Sequence, residues 1–237
     1  MWLFRSAMAI LAKVTPDNPN FDKSLSFRVQ IASETGDMAA AAAAAREARE
    51  RFPDNREFVA MEAAVKDKSG DAAGAVAILE AAVKTWPDDP DLLYRYGVGL
   101  EKLRRRDEAK AVMERIVAKD ATHPDALNYL GYSLAEEGRD LDKALAMIQK
   151  ALEKEPDNPF FLDSLAWTLY KLKRVDEAFA AIEKAVGHKV KDAIIWEHYG
   201  DIAAAAGRRA EAQKAYRSAL ELGSETPAAV KKKLEAL

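Results

Sequence analysis

One spacing constrains this chain more than any other feature: compact residues recur every 34 or 35 positions. Val29, Ala63, Gly97, Gly131, Ala166 and Gly200 form one ladder, with intervals of 34, 34, 34, 35 and 34 residues. Twelve or thirteen residues after each comes an alanine: Ala41, Ala75, Ala109, Ala144, Ala178 and Ala212. A third series follows at Ala48, Ala82, Ile116, Ala151, Ala185 and Ala219. Ladders that share one period mark an internal repeat. A repeat of this length is one supersecondary unit that buries its apolar face only by stacking on neighbours.

The ladders have a mechanical reading. Two antiparallel helices approach closely only where the crossing residues are small, and a larger side chain there costs roughly 1–3 kcal/mol. Glycine or alanine of a first helix is therefore expected to face alanine of the second. Larger residues surround the crossing: Leu127, Leu130 and Leu134 with Ile148 and Leu152, then Leu162, Leu165 and Leu169 with Ile182, then Trp196 and Tyr199 with Tyr216. Asp89-Pro90, His123-Pro124 and Asn158-Pro159 place proline at a first helical position, with Asp89 and Asn158 as N-caps. Gly36-Asp37, Gly70-Asp71, Gly138-Arg139 and Gly207-Arg208 break four of the six units in the middle. Each unit is helix, short turn, helix, and the extra residue in Gly138-Arg139-Asp140-Leu141-Asp142 accounts for the one 35-residue interval.

Composition agrees. Apolar residues make up 49% and charged residues 32% of the chain, the balance of a folded domain and not of a disordered one. Much of the apolar share is alanine, the best helix former. The formal charge of −3 supplies no global field for nucleic acid. With no cysteine, disulfides, thiolate zinc sites and a cysteine nucleophile are all excluded, and the redox compartment is left open. No stretch reaches the roughly 18–20 apolar residues of a membrane span.

Leu127-x-x-Leu130-Gly131-x-x-Leu134 with Ala144-x-x-x-Ile148-x-x-Ala151 and Pro156 resembles the tetratricopeptide repeat signature. So does Trp196-x-x-Tyr199-Gly200 with Ala212-x-x-x-Tyr216-x-x-Ala219. The match covers six units over roughly residues 20–222; the last four are the better copies, and the first carries Arg28 at a core position. The resemblance implies an all-α fold, a right-handed superhelical α-solenoid with a C-terminal capping helix. The expected division is 1–15 as an N-terminal helix, 20–223 as the six-repeat solenoid and 224–237 as the cap. In the opening segment Phe4, Met8 and Leu11 recur at helical spacing, although Arg5 and Lys13 interrupt its apolar run. Pro16-Asp17-Asn18-Pro19 after it repeats Pro156-Asp157-Asn158-Pro159, so it reads as the second helix of a truncated repeat, part of a longer array with an introduced Met1. Thr226-Pro227 opens the cap, with Val230, Leu234 and Leu237 on one face and Lys231, Lys232 and Lys233 near the other.

In this family the first helices line a concave groove that binds protein or peptide. Carried onto this sequence, the groove positions give the aromatics Tyr94, Tyr129, Tyr132, Phe160, Trp167 and Tyr170. The same positions give Glu57, Asp67, Asp91, Glu101, Asp125, Asp163, Glu197 and Asp201 against only Lys23 and Arg95, a local −6 within a chain of −3. Asn128 and Asp163 share the position at which family members grip a ligand backbone. The resemblance thus implies a non-enzymatic scaffold or adaptor whose groove, centred on Tyr132 and Trp167, takes an apolar, somewhat basic segment. The alternatives are a self-assembling homo-oligomeric module, or the regulatory arm of a larger protein. A lysine–asparagine clamp for a C-terminal carboxylate is absent from every pair of units.

Other chemistry finds little footing. Glu197, His198 and Asp201 make too thin a set for a metal. No phosphate loop or nucleophile elbow occurs, so neither cofactor nor catalytic residue is expected. Arg104-Arg105-Arg106 lacks the interleaved aromatics of a nucleic-acid patch. Asn128-Tyr129-Leu130-Gly131-Tyr132 and Asp163-Ser164-Leu165-Ala166-Trp167 resemble bacterial envelope repeat proteins, some of them lipoproteins that recruit a protease. That would imply a periplasmic location if a signal segment is missing, and a cytoplasmic one otherwise.

Overall fold

Alanine-rich amphipathic segments between glycine and proline punctuation fold as the ladders require. The computed structural model describes residues 2–237, apart from the side chains of Trp2, Leu3 and Arg5; Met1 and the Arg5 side chain lie outside the described residues. Among the described residues the chain is all helical, in two compact units spanning Met1–Met113 and Glu114–Leu237. In the first unit α1 (Trp2–Leu11) precedes the pairs α2 (Phe21–Thr35) with α3 (Met38–Arg51) and α4 (Arg56–Lys68) with α5 (Ala72–Thr85), then α6 (Pro90–Lys102). The helix α7 (Arg106–Lys119) contains the division. In the second unit α8 (Pro124–Glu137) pairs with α9 (Leu141–Lys154), α10 (Pro159–Lys171) with α11 (Val175–Gly187), and α12 (Ala193–Ala205) with α13 (Arg209–Glu221); α14 (Pro227–Glu235) packs on α13. No helix among the described residues is long and apolar enough to cross a membrane.

The local chemistry is visible at both helix ends. Asp37, Asn55, Asp71, Asp89, Asn158 and Asp192 each accept a hydrogen bond from a first-turn N–H. Gly36, Gly70, Gly138 and Gly207 turn the chain with φ between 65° and 88°. In the two units without a turn glycine, Arg104 and Lys173 take that left-handed conformation instead.

The crossing differs from expectation in one respect. At Gly97, Gly131 and Gly200 the nearest neighbour is the large residue four positions after the alanine, and at Gly131 the Ala144 carbonyl follows at 3.0 Å. A Cβ on Gly97 would lie 2.5 Å from Met113 Cε, on Gly131 2.7 Å from Ile148 Cγ1, and on Gly200 2.3 Å from Tyr216 Cε1. Side chains on a helix slant toward its N-terminus, so Met113, Ile148 and Tyr216 reach back over the turn that the alanine occupies. The ladder alanines Ala41, Ala109, Ala144, Ala178 and Ala212 are fully buried.

At the N-terminal end Met8 packs against the α2–α4 cluster that contains Val29, Ala32 and Ala45, while Phe4 and Ile10 stay exposed. Arg28, the polar residue at a core position, is half-buried and held by Glu47 of α3 at 3.3 Å. At the other end Val230 is fully buried and Leu234 and Leu237 lie against the α12–α13 core, with Lys231 and Lys232 exposed.

Candidate functional site

Stacking of pairs sets the first helices α8, α10 and α12 side by side in the second unit. From them come most of the side chains expected in a groove. Tyr129 and Tyr132 on α8, Tyr170 on α10, and Glu197 and Asp201 on α12 are all half-buried, whereas Phe160 on α10 is 51% exposed. Tyr94 belongs to α6 in the first unit and is half-buried there.

Trp167 is buried. Its indole stacks on the His198 imidazole, centroids 4.0 Å apart and planes within 16°, and on Tyr170 at 5.2 Å. Lys171 Nζ lies 4.8 Å over the same ring, and the indole N–H donates to Glu136. Beneath this stack Asp163 meets His198 Nδ1 at 2.9 Å, each only 6% exposed. Tyr132 extends the series, 6.2 Å from the His198 ring. The helices α8, α10 and α12 thus share a spine of Tyr132, His198, Trp167, Tyr170 and Lys171.

His198 is the functional candidate that repeat positions did not supply. The sequence placed it beside Glu197 and Asp201, but on the helix it turns to Asp163 on the neighbouring first helix. Glu197 instead accepts from Thr226, and Asp201 from the Tyr216 hydroxyl and from Lys233, both at 2.7 Å. The signal available was one repeat interval: Asp163 and His198 are 35 residues apart, so adjacent first helices bring them together. Burial alone would push the imidazole down. Asp163, with lesser help from Glu136 and Asp201, outweighs it and holds His198 above its ordinary value. Burial and the Asp201 carboxylate keep the Tyr216 phenol raised, so it remains the donor of that bond.

Four of the eight acids expected to rim the groove have a cation beside them. In the first unit Lys102 pairs with Asp67, Arg95 with Asp91 at 2.9 Å and Arg106 with Glu101 at 3.2 Å. In the second, Lys233 sits on Asp201. The excess of −6 was counted on groove positions alone; Arg95 was part of that count, whereas Lys102, Arg106 and Lys233 reach in from other positions. Asn128 has the opposite problem: its Oδ1 is shielded from solvent and has no hydrogen-bond partner. A basin of about 730 Å³ in the first unit lies elsewhere, at the α3–α4 turn between Arg51, Arg56 and Trp86.

A family model described as a tetratricopeptide repeat-like domain matches residues 103–237, more than half of the sequence. The chain belongs to the tetratricopeptide repeat family. Two further tetratricopeptide repeat models match residues 28–90 and 68–131. A TPR repeat-containing protein of Pseudomonas aeruginosa is 31% identical over 84 residues, which are 35% of this chain and 14% of that protein. The chain therefore spans a small part of the curated relative it matches. A tetratricopeptide repeat protein from Parabacteroides merdae superposes with a TM-score of 0.70 at 18% identity, over 98% of this chain and 90% of that one. PilW, a type IV pilus biogenesis factor, superposes at 0.69 with 20% identity, over 92% and 99%. A Thermus thermophilus tetratricopeptide repeat protein reaches 0.60 at 20% identity, over 77% and 98%. At these identities the likeness is one of fold. Tetratricopeptide arrays are in general scaffolds for protein–protein interaction.

Proposed function

We propose that this chain is a non-enzymatic adaptor and that the α8–α10–α12 face seats an extended or helical segment of a partner, apolar and somewhat basic. The observation that carries the reading is the row of partly open rings, Tyr129, Tyr132, Tyr170 and Phe160, on the adjacent first helices α8 and α10. Aromatic side chains dominate protein-binding hot spots because they bury much area at little entropic cost. Ile194, 49% exposed at the α12 position equivalent to Phe160, extends the apolar edge. Asp163 and Trp167 serve this face from beneath, as its support. The solenoid of residues 20–223 is the binding body in this reading, with 224–237 as its cap.

Binding of a fluorescein-labelled leucine–lysine peptide, followed by polarisation, tests the proposal. Tyr132→Ala with Phe160→Ala should weaken capture at least about tenfold, about 1.4 kcal/mol, with the circular dichroism unchanged. A leucine–glutamate peptide should bind poorly. Undiminished capture by the double variant would sink the reading.

A second reading, self-assembly, draws on Phe4 and Ile10, which α1 leaves 41% and 66% exposed. Light scattering decides it: a mass that rises with concentration and is lost in Ile10→Ser supports assembly, and a constant monomer mass removes it.

A further inference from the structure

The groove aromatics rest on a buried ion pair that the repeat pattern does not call for. Neighbouring first helices could pack apolar residues at these positions, yet Asp163 and His198 meet here at 2.9 and 3.1 Å, shut away from water. His198 in turn presents the flat of its ring to Trp167 at 4.0 Å. The indole N–H then ties α10 to Glu136 on α8. One imidazole thereby links all three helices that build the face.

We propose that His198 is the positioning residue of this groove: clamped by Asp163 and stacked on Trp167, it fixes the aromatic wall while protonated and loosens it on losing that proton. The proposal rests on the groove reading above and adds its regulation. A charged imidazole binds Asp163 through a charge-assisted hydrogen bond and attracts the indole face as a cation. A neutral one keeps a weaker bond to the carboxylate and loses the cationic attraction.

The charged surroundings of His198 come from every helix near it. Glu136 approaches from α8, Asp163 and Lys171 from α10, and Glu197 and Asp201 lie on α12 itself. Tyr216 of α13 and Lys233 of α14 are bonded to Asp201, and α11 meets α12 through the Phe179 and Tyr199 rings, 5.9 Å apart. His198 is the histidine of this group, and imidazole is the side chain whose ordinary change of charge lies nearest neutrality. Burial works against the charged ring, but the Asp163 carboxylate outweighs it and raises that change above the ordinary imidazole value.

The test uses the whole chain with Trp2, Trp86 and Trp196 replaced by phenylalanine, so that Trp167 alone reports. A protonated imidazole in contact quenches indole emission. Emission should brighten in one step as pH rises, the step should vanish in His198→Gln, and it should move to lower pH in Asp163→Asn, which keeps the ring but removes its counter-charge. Affinity for the leucine–lysine peptide, measured at about 1 M salt where the Debye length is about 3 Å, should fall several-fold across the same step and stay level in His198→Gln. An emission step that survives in His198→Gln, the absence of any step, or an affinity that ignores the step overturns the proposal. Failure of the peptide to bind at every pH overturns the groove reading itself, and the peptide-free emission step tells the two failures apart.

Discussion

Gly200 faces the ring of Tyr216 so closely that a Cβ built on it would stand 2.3 Å from one ring carbon and 2.4 Å from the next. The ring has little room to yield, since Tyr216 is 2% exposed and its hydroxyl is bonded to Asp201. The first helix of the last pair can sit at this depth only because position 200 has no side chain.

Gly200→Ala should therefore destabilise the protein by about 1–3 kcal/mol in chemical denaturation, the range for forcing a methyl into a filled core. Gly97→Ala should cost less, because the atom it meets is the mobile end of Met113, Cε at 2.5 Å. Gly187→Ala meets nothing within 4 Å at the end of α11 and should be neutral or stabilising by up to about 1 kcal/mol. Equal losses at all three sites would contradict the packing.

The pH dependence of stability follows from His198. Its folded pKa is raised, so the folded chain binds a proton that the unfolded chain releases near pH 6.5. The stabilisation is fully present below about pH 6.5 and is lost as pH rises through the folded value. Urea midpoints taken across this window should fall for the wild type and level off above it. In His198→Gln this fall should be missing, and a wild-type midpoint that climbs there would reverse the sign of the argument.

The fold was legible because its cause is periodic. A helix pair that must stack on its neighbour leaves compact residues and turns at a fixed interval, and each appears where the ladders put it. The left-handed turns at Arg104 and Lys173 were hidden, because geometry imposed by the adjoining pairs overrides the preference for glycine there. The site was legible only by position. Counting from the ladder finds Trp167 and Asp163, but whether a ring faces solvent or a neighbour depends on the residue one repeat away. His198 fills the space beside Trp167, and no property of position 167 alone foretells that.

Breaking the Asp163–His198 pair from one side should be costly. Asp163→Ala leaves a buried imidazole without its counter-charge, and removal of one partner of a buried pair costs about 3–5 kcal/mol. Asp163→Asn with His198→Gln retains two polar groups able to bond to each other and carries no charge. The double variant should lose less than the sum of its single changes, with a coupling of about 0.5–3 kcal/mol in a double-mutant cycle. Strict additivity would mean that the two side chains do not act as a unit.

The start of α10 offers a contrast with the start of α9. Asn158 caps α10, its Oδ1 accepting from the N–H of Phe160 at 3.0 Å and of Phe161 at 3.4 Å. Asn158→Ala should cost about 1 kcal/mol and speed hydrogen exchange at those two amides first, loosening the turn from which Asp163 projects. Asp140 stands at the head of α9 with φ of 46° and no side-chain cap. It lies within the inserted turn, so the extra residue is accommodated at a conformation disfavoured for any residue with a Cβ. Asp140→Gly should accordingly raise stability, by up to about 1 kcal/mol, without altering exchange in α10. If Asp140→Gly destabilised instead, the carboxylate would have a role at the α9 terminus that outweighs the backbone strain.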